Sequence, residues 1–199
     1  ASVGFRPPEI TELYRLQRAQ SVADLDSERI EAVELGVKGA WAPLDLELAA
    51  FDMRKENVIL RESNGFNVDD GRTTHRGLEY RLRWRVLDDL TVAASGTWAR
   101  HRYAFSRSVE GGEQIVDGND VDTAPRYLYR AGLQWQPAAG LDTEAEWLVV
   151  GPYWLDAANQ HRYPGHGVLN LRAHWQASSR WSFALRLNNA LDRWYADRA

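Results

Sequence analysis

The chain contains no cysteine. Disulfide scaffolds, thiolate zinc sites and thiol nucleophiles are thereby excluded. Long apolar runs are missing too. The longest uncharged stretch in an apolar region, Trp147 to Leu155, is nine residues, against the roughly 20 that a membrane-spanning helix needs. No charged n-region followed by an apolar run opens the chain, so no signal peptide is visible, and the absent initiator Met is expected of a processed or excerpted chain. Neither sign of charge dominates: 24 Lys and Arg against 28 Asp and Glu leave −4, which provides no electrostatic footprint for a nucleic-acid partner. Methionine occurs once, whereas there are nine Trp and eight Tyr in 199 residues. That is more indole than an ordinary soluble domain requires, in a chain sized for one domain or a piece of a larger one.

From about residue 30 onward, polar and apolar residues alternate with period two, the mark of strands with two unlike faces. In Leu78-Glu79-Tyr80-Arg81-Leu82-Arg83-Trp84-Arg85-Val86 every even position is apolar and every odd position charged. On a helix the three arginines would scatter around the axis at about 100° per residue; on a strand they share one face. The pattern returns in Leu169–Gln176, in Trp181–Asn188, and in Tyr129, Ala131, Leu133 and Trp135. It predicts eight strands, at about 30–42, 44–60, 73–87, 90–106, 125–136, 141–155, 166–177 and 180–190. In the second, the apolar parity changes around Ala49–Phe51, which predicts a bulge there.

The connections alternate short and long: 42–43, then 61–72, 88–89, 107–124, 137–140, 156–165 and 178–179. A meander with tight turns at one end and longer loops at the other is the layout of outer-membrane barrels. Tryptophan position points the same way. Trp41, Trp84, Trp135, Trp175 and Trp181 all lie within four residues of a short turn and carry the apolar parity of their strand, as an interfacial belt does. An Arg facing lipid at the midplane costs about 2–4 kcal/mol, so the parity of Arg81, Arg83 and Arg85 points into a lumen and that of Leu78, Leu82 and Trp84 to lipid. The expected fold is all-β: an antiparallel meander of about eight strands from a transmembrane outer-membrane β-barrel. A short helical segment at about 8–20, with Ile10, Leu13, Tyr14 and Leu16 near helical spacing, precedes it in an extracellular loop stretch, 1–29.

Six ordered segments resemble the C-terminal part of the barrel of TonB-dependent outer-membrane receptors. Phe5-Arg6-Pro7-Pro8-Glu9-Ile10-Thr11-Glu12-Leu13-Tyr14 is similar to the family's F-R-x-P-x-x-x-E-L-Y segment, and Leu25, Glu28, Glu34 and Gly36 to the pattern that follows it. Arg76-Gly77-Leu78-Glu79 resembles its R-G-x-E, and Pro125 with Gly132-Leu133 fits a later strand. Pro164-Gly165-His166-Gly167-Val168-Leu169-Asn170-Leu171 is similar to P-G-Y-x-x-x-D/N-L, with His166 in place of Tyr; Asn189-Ala190-Leu191-Asp192-Arg193-Trp194-Tyr195 resembles the near-terminal N-L-F-D-x-x-Y. The family has an N-terminal plug domain and about 22 strands; the chain reads as a fragment without the plug, the earlier strands and the last strand. The resemblance implies residence in outer-membrane lipid and uptake energised by the TonB complex through the plug region. It also implies a scarce substrate, most often an iron–siderophore complex, no cofactor, and no chemistry done on the cargo. A self-contained small pore or adhesion barrel is the first alternative, a soluble β-sandwich that binds carbohydrate the second.

Within that frame the lumen-facing Glu79, Arg81, Arg130, Arg172 and Arg186 are candidates for contact with an anionic ligand or with the plug. The loop residues Arg102, Tyr103, Arg107, Tyr153, Trp154, Arg162 and Tyr163 are stronger ligand candidates, because loops carry function. His161 and His166 share a loop with Asp156, but the spacing is no known zinc pattern, and no metal site is expected. His101 and His174 carry lumen parity, the other three histidines lie in or beside loops, and no lipid-facing Ser–His pair appears. The glycine pairs sit in turns with no following helix, so no phosphate loop is present.

Overall fold

The computed structural model describes residues 1–14, 24–61 and 66–196. Strand β1 (Ser2–Arg6) leads into a one-turn helix, α1 (Ile10–Tyr14), and then into β2 (Glu28–Trp41), β3 (Leu44–Arg61), β4 (Asn67–Leu87) and β5 (Leu90–Tyr103). A small ribbon follows, β6 (Arg107–Ser108) with β7 (Gln114–Ile115), before β8 (Tyr127–Ala138) and β9 (Leu141–Val150). A second ribbon, β10 (Tyr153–Trp154) with β11 (Arg162–Tyr163), precedes β12 (His166–Gln176) and β13 (Ser182–Leu187). Nine strands form one antiparallel sheet in the order β1-β2-β3-β4-β5-β8-β9-β12-β13. The sheet is open, with β1 and β13 at its two edges. Among the described residues the sheet does not close into a small barrel, and no second large sheet packs on it as a sandwich requires.

Two neighbouring rows of the register show why the sequence alternates. Gly39, Leu46, Leu82, Ala94, Ala131, Trp147 and Leu169 lie side by side across seven strands on one face. One position along, Lys38, Glu47, Arg81, Ser95, Arg130, Leu148 and Val168 form a row on the other. The first face is a continuous apolar surface and the second a charged inner wall. Among the described residues the buried apolar side chains are only Ala99, Phe105, Ile115, Ala157 and Val168. A sheet of this size without a core of its own must find its apolar environment outside itself.

Along β8, the outward Tyr127 and Trp135 are separated by about 27 Å of strand at ~3.4 Å per residue, or about 20 Å measured across a strand tilted by ~40°. Below this band lie the short turns. Trp41, Trp84, Trp135, Trp175 and Trp181 are 61%, 45%, 46%, 50% and 66% exposed at that end, all with outward parity. Sequence reading missed a second aromatic group at the other edge: Tyr80, Trp98, Tyr127 and Tyr129, in which Tyr127 and Tyr129 stack at 4.9 Å. Above it the outward row becomes Val33, Asp52, Arg76 and Arg100, and the apolar face ends.

That change explains the absence of the bulge expected at Ala49–Phe51. The β2–β3 register runs without a break from Trp41↔Leu44 to Arg29↔Glu56, and the β3–β4 irregularities lie further on, between Lys55, Val58 and Leu60. The parity changes because the outward face turns polar beyond the apolar band (Asp52, Arg54, Glu56), while Phe51 and Met53 point inward. The same extension makes strand of much of the expected loop 61–72: β3 continues to Arg61 and β4 begins at Asn67. Elsewhere the long connections start earlier, since β5 ends at Tyr103 and β9 at Val150. The stretch 1–29 is also not all loop. Ser2–Arg6 pairs with β2 through Ser2↔Ala32 to Arg6↔Glu28, which gives nine strands instead of eight. Five residues are too few for periodicity to decide, and the free edge of β2 decides it. Helix α1 covers Ile10, Leu13 and Tyr14; Leu16 lies outside the described residues.

Gly77, of the Arg76-Gly77-Leu78-Glu79 segment, shows what its lack of a side chain permits. A Cβ there would meet Phe51 Cζ and the Trp98 carbonyl oxygen at 2.6 Å and Ala99 Cβ at 2.9 Å. Gly77→Val is expected to cost about 1–3 kcal/mol by overpacking, read as loss of the folded, heat-modifiable band on electrophoresis; unchanged folding yield would disprove the close approach.

Candidate functional site

At the long-loop end, two segments far apart in sequence form one unit. Residues 104–126 and 151–165 pack on an apolar knot of Phe105, Ile115 and Ala157, joined by Leu60, Tyr103 and Val109. Hydrogen bonds knit the rest. The Asp120 amide donates to Asn159 Oδ1 at 2.9 Å, Asn159 Nδ2 donates back to the Asp120 carbonyl at 2.8 Å, and the Thr123 amide donates to the Trp154 carbonyl at 2.7 Å. The Ala157 amide donates to Glu113 Oε1 at 2.6 Å, and Asn119 Nδ2 to the Ala157 carbonyl at 3.1 Å. Asp156 closes its own turn by accepting from the Gln160 and His161 amides at 2.8 and 2.6 Å, bonds that hold its carboxyl below the usual carboxylate range.

Beneath this unit opens a pocket of about 380 Å³ lined by His101, Asp120, Arg126, Tyr153, Trp154 and Arg162, among others. The Arg162 guanidinium lies over the Trp154 ring at 5.8 Å and Tyr153 packs on Tyr163 at 5.1 Å, so the aromatic wall is preset. Arg126 binds Asp120 at 2.7 Å, and Arg100 and Arg102 approach the same carboxylate at 3.5 and 4.0 Å. Within the pocket itself Arg126 and Arg162 stand against the single carboxylate of Asp120, which leaves the lining locally positive and suits an anionic guest.

The candidate loop residues therefore divide. Tyr153, Trp154 and Arg162 line the pocket. Tyr163 supports it from behind, its hydroxyl 2.9 Å from His166 Nδ1, while His166 stacks on Tyr195 at 4.5 Å. Tyr103 belongs to the apolar knot and donates its hydroxyl to Asp122 at 2.5 Å; burial and that carboxylate raise its pKa. Arg107 is held by Asp70, and Arg102 lies against the Asp120 segment. His101, Asp120 and Arg126 line the pocket but were not singled out from sequence; the lumen parity of His101 was the one signal available.

Lower down, the inner wall forms a trough of about 750 Å³ lined by Lys38, Glu47, Glu79, Arg81 and Arg130, among others. Lys38 and Arg81 share Glu47, at 2.5 and 3.5 Å. Arg130 and Arg172 share Glu146, at 2.6 and 3.7 Å, and Glu144, at 3.6 and 3.3 Å. Arg186 stands opposite Arg172 in the register. These ladders satisfy one another and give the wall no strong net charge.

His161 bonds Asp156 at 3.0 Å and His166 bonds Tyr163, so the loop histidines are not gathered. Among the described residues no group of three or more His, Asp or Glu side chains is placed to hold a metal. His75, read from sequence as lying beside a loop, instead stands on the inner face of β4 above the apolar band, its Nδ1 2.8 Å from His101 Nδ1. Burial, then His101 and Lys55, push its pKa down to about 4, and burial with Arg126 lowers that of His101.

Known proteins agree with this architecture. The profile of the family described as "TonB dependent receptor-like, beta-barrel" matches residues 1–190. The chain belongs to the TonB-dependent receptor family. The chain is 29% identical over 157 residues to the ferrioxamine receptor of Yersinia enterocolitica, covering 74% of this chain and 21% of that one. To the ferric-pyoverdine BN7/BN8 receptor of Pseudomonas putida it is 24% identical over 182 residues, covering 88% of this chain and 21% of the other. The crystal structure of the ferric yersiniabactin uptake receptor FyuA from Yersinia pestis superimposes with a TM-score of 0.79 at 21% identity, over 96% of this chain and 29% of that one. The chain thus spans about a fifth to a quarter of the length of the curated relatives it matches. Its family places it in the outer membrane of Gram-negative bacteria, among receptors and transporters, not enzymes.

Proposed function

We propose that the chain is a wall segment of an outer-membrane receptor that captures a ferric siderophore at its extracellular mouth, for TonB-energised uptake through the lumen. The observation that carries this reading is the preset pocket of Trp154, Tyr153, Arg162 and Arg126 under the interlocked loops. Large, rigid aromatic faces bind a bulky chelate at small entropic cost, and excess guanidinium charge compensates its anionic groups. Relatives named for ferrioxamine, pyoverdine and yersiniabactin support the substrate class. Arg81, Arg130 and Arg172, together with Glu79 and Arg186, would face the plug on the path below. The Trp41–Trp181 belt and the upper aromatic group would sit at the two membrane interfaces, with the apolar band between them.

The test is accumulation of ⁵⁵Fe supplied as ferrioxamine, ferric pyoverdine or ferric yersiniabactin in iron-starved cells producing the native protein. One of these is expected to accumulate only when TonB is present, with surface binding retained without it. Trp154→Ala and Arg162→Ala are each expected to weaken surface binding about tenfold, as truncation of an aromatic or Arg anchor does. No uptake of any of the three above cells lacking the gene would sink the reading.

A further inference from the structure

The single methionine of the chain occupies a particular place. Met53 stands on the inner face of β3 directly opposite His75 of β4, and His75 stands directly opposite His101 of β5. A thioether and two imidazoles thus form one row across three adjacent strands, above the apolar band. Directly opposed residues have Cβ atoms about 4.5–5.5 Å apart, so the three side chains share one small volume.

The geometry points to a binding site for a soft transition-metal ion, copper in its monovalent state, with Nδ1 of His75, Nδ1 of His101 and the sulfur of Met53 as ligands. The two Nδ1 atoms are 2.8 Å apart. This is a hydrogen bond from one ring to the other; two nitrogens about 2.0–2.1 Å from a three-coordinate ion stand about 3.5 Å apart, so loss of the shared proton and a separation of less than about 1 Å turn the pair into adjacent ligands. Its rings are tilted by 55° with centroids 5.0 Å apart, not stacked. The outer contact fits as well. Thr73 Oγ1 lies 2.9 Å from His75 Nε2; accepting that N–H leaves the His75 Nδ1 lone pair turned to the row, as a second partner orients a metal-binding histidine.

The ligand types choose the ion. The row contains no carboxylate, which disfavours calcium and magnesium. Thioether sulfur selects copper(I), whereas two imidazoles alone would also suit zinc or nickel. Two cations flank the row and each is neutralised: Lys55, two positions along opposite Thr73, by Glu28 at 2.8 Å, and Arg126, beside His101, by Asp120 at 2.7 Å. This site is independent of which chelate the mouth captures, and iron uptake is measured separately.

The experiment uses the native protein extracted from outer membranes into detergent, titrated with Cu(I) under anaerobic conditions against the chromogenic chelator bathocuproine disulfonate. One Cu(I) per chain is expected, with X-ray absorption showing a sulfur scatterer beside nitrogen. His75→Gln and His101→Gln should each weaken binding about 100-fold, and Met53→Leu about tenfold with loss of the sulfur scatterer. Zinc affinity of Met53→Leu should stay within about twofold of wild type, which also shows that the variant is folded. Absence of copper binding overturns the assignment, as does binding that is unchanged by Met53→Leu or by the histidine variants.

Discussion

Arginine placed at Ala131 is expected to cost about 2–4 kcal/mol of folding free energy, whereas arginine at the adjacent Gly132 should cost less than about 1 kcal/mol. Ala131 is midway between the outward Tyr127 and Trp135, in the row with Leu82, Ala94 and Trp147. Its side chain therefore meets hydrocarbon near the bilayer centre, where a guanidinium has no partner. Gly132 points to the lumen between Ala93 and Glu146, and a Cβ there would meet nothing nearer than 3.9 Å. Urea titration of the native protein refolded into lipid vesicles measures both. Equal effects at the two positions would overturn the assignment of faces, since nothing but parity distinguishes them.

Loss of the Glu28 carboxylate is the second large effect. Glu28 is 4% exposed and holds Arg6 through two bonds, at 2.8 and 2.9 Å, and Lys55 at 2.8 Å, while accepting from the Ile59 amide at 3.1 Å. Arg6 in turn reaches both oxygens of Glu12 at 3.1 Å, and Asn67 Nδ2 donates to the Glu12 carbonyl at 2.6 Å. The Glu28 carboxylate thus ties β1 to β2 and β3 and, through Arg6, reaches α1, which Asn67 holds to β4. Glu28→Gln would leave two cations facing a neutral amide. Breaking a buried pair costs about 3–5 kcal/mol, and about 2–3 is expected here because both cations are a third exposed.

The pH dependence follows from the direction of the shift. Arg6, Lys55 and the Ile59 amide lower the Glu28 pKa from 4.5 to about 2, against the opposing effect of burial. The unfolded chain therefore binds the proton more readily, and this stabilisation is complete above pH 4.5 and fades as pH falls toward 2. Hydrogen exchange of the β1 amides at pH 7 and pH 3 measures it: protection should fall at pH 3 in the wild type and be low at both pH values in Glu28→Gln. Equal protection in the two proteins at pH 7 would dispose of the clasp.

What was legible in the sequence was whatever the bilayer imposes. Leu78–Val86 alternates cleanly because one side of β4 meets hydrocarbon and the other water, and strand positions, faces and the lower Trp belt follow from that constraint. Where it ceases, so does the signal. Beyond Ala50 the outward face of β3 is polar and the inward face apolar, and the parity change reads like a bulge although the ladder is continuous. Asn67–Arg72 reads as loop because its composition is polar, yet it pairs as strand. The pocket was harder still. Trp154 and Arg162 carry the right chemistry and could be singled out, but Arg126 and Asp120 come from another loop, and only the tertiary contact between the loops assembles them. The Met53–His75–His101 row needed the register of three strands, which no single stretch of sequence displays.

The interlocking of segments 104–126 and 151–165 has a consequence for how this mouth can change. Asp120 and Asn159 satisfy each other's backbone and side chain, and Ala157 is held from both Glu113 and Asn119. Neither loop is a module. Grafting one of them from a relative with a different cargo would leave the other with broken partners, so a new specificity must be transplanted, or arise, in both loops together.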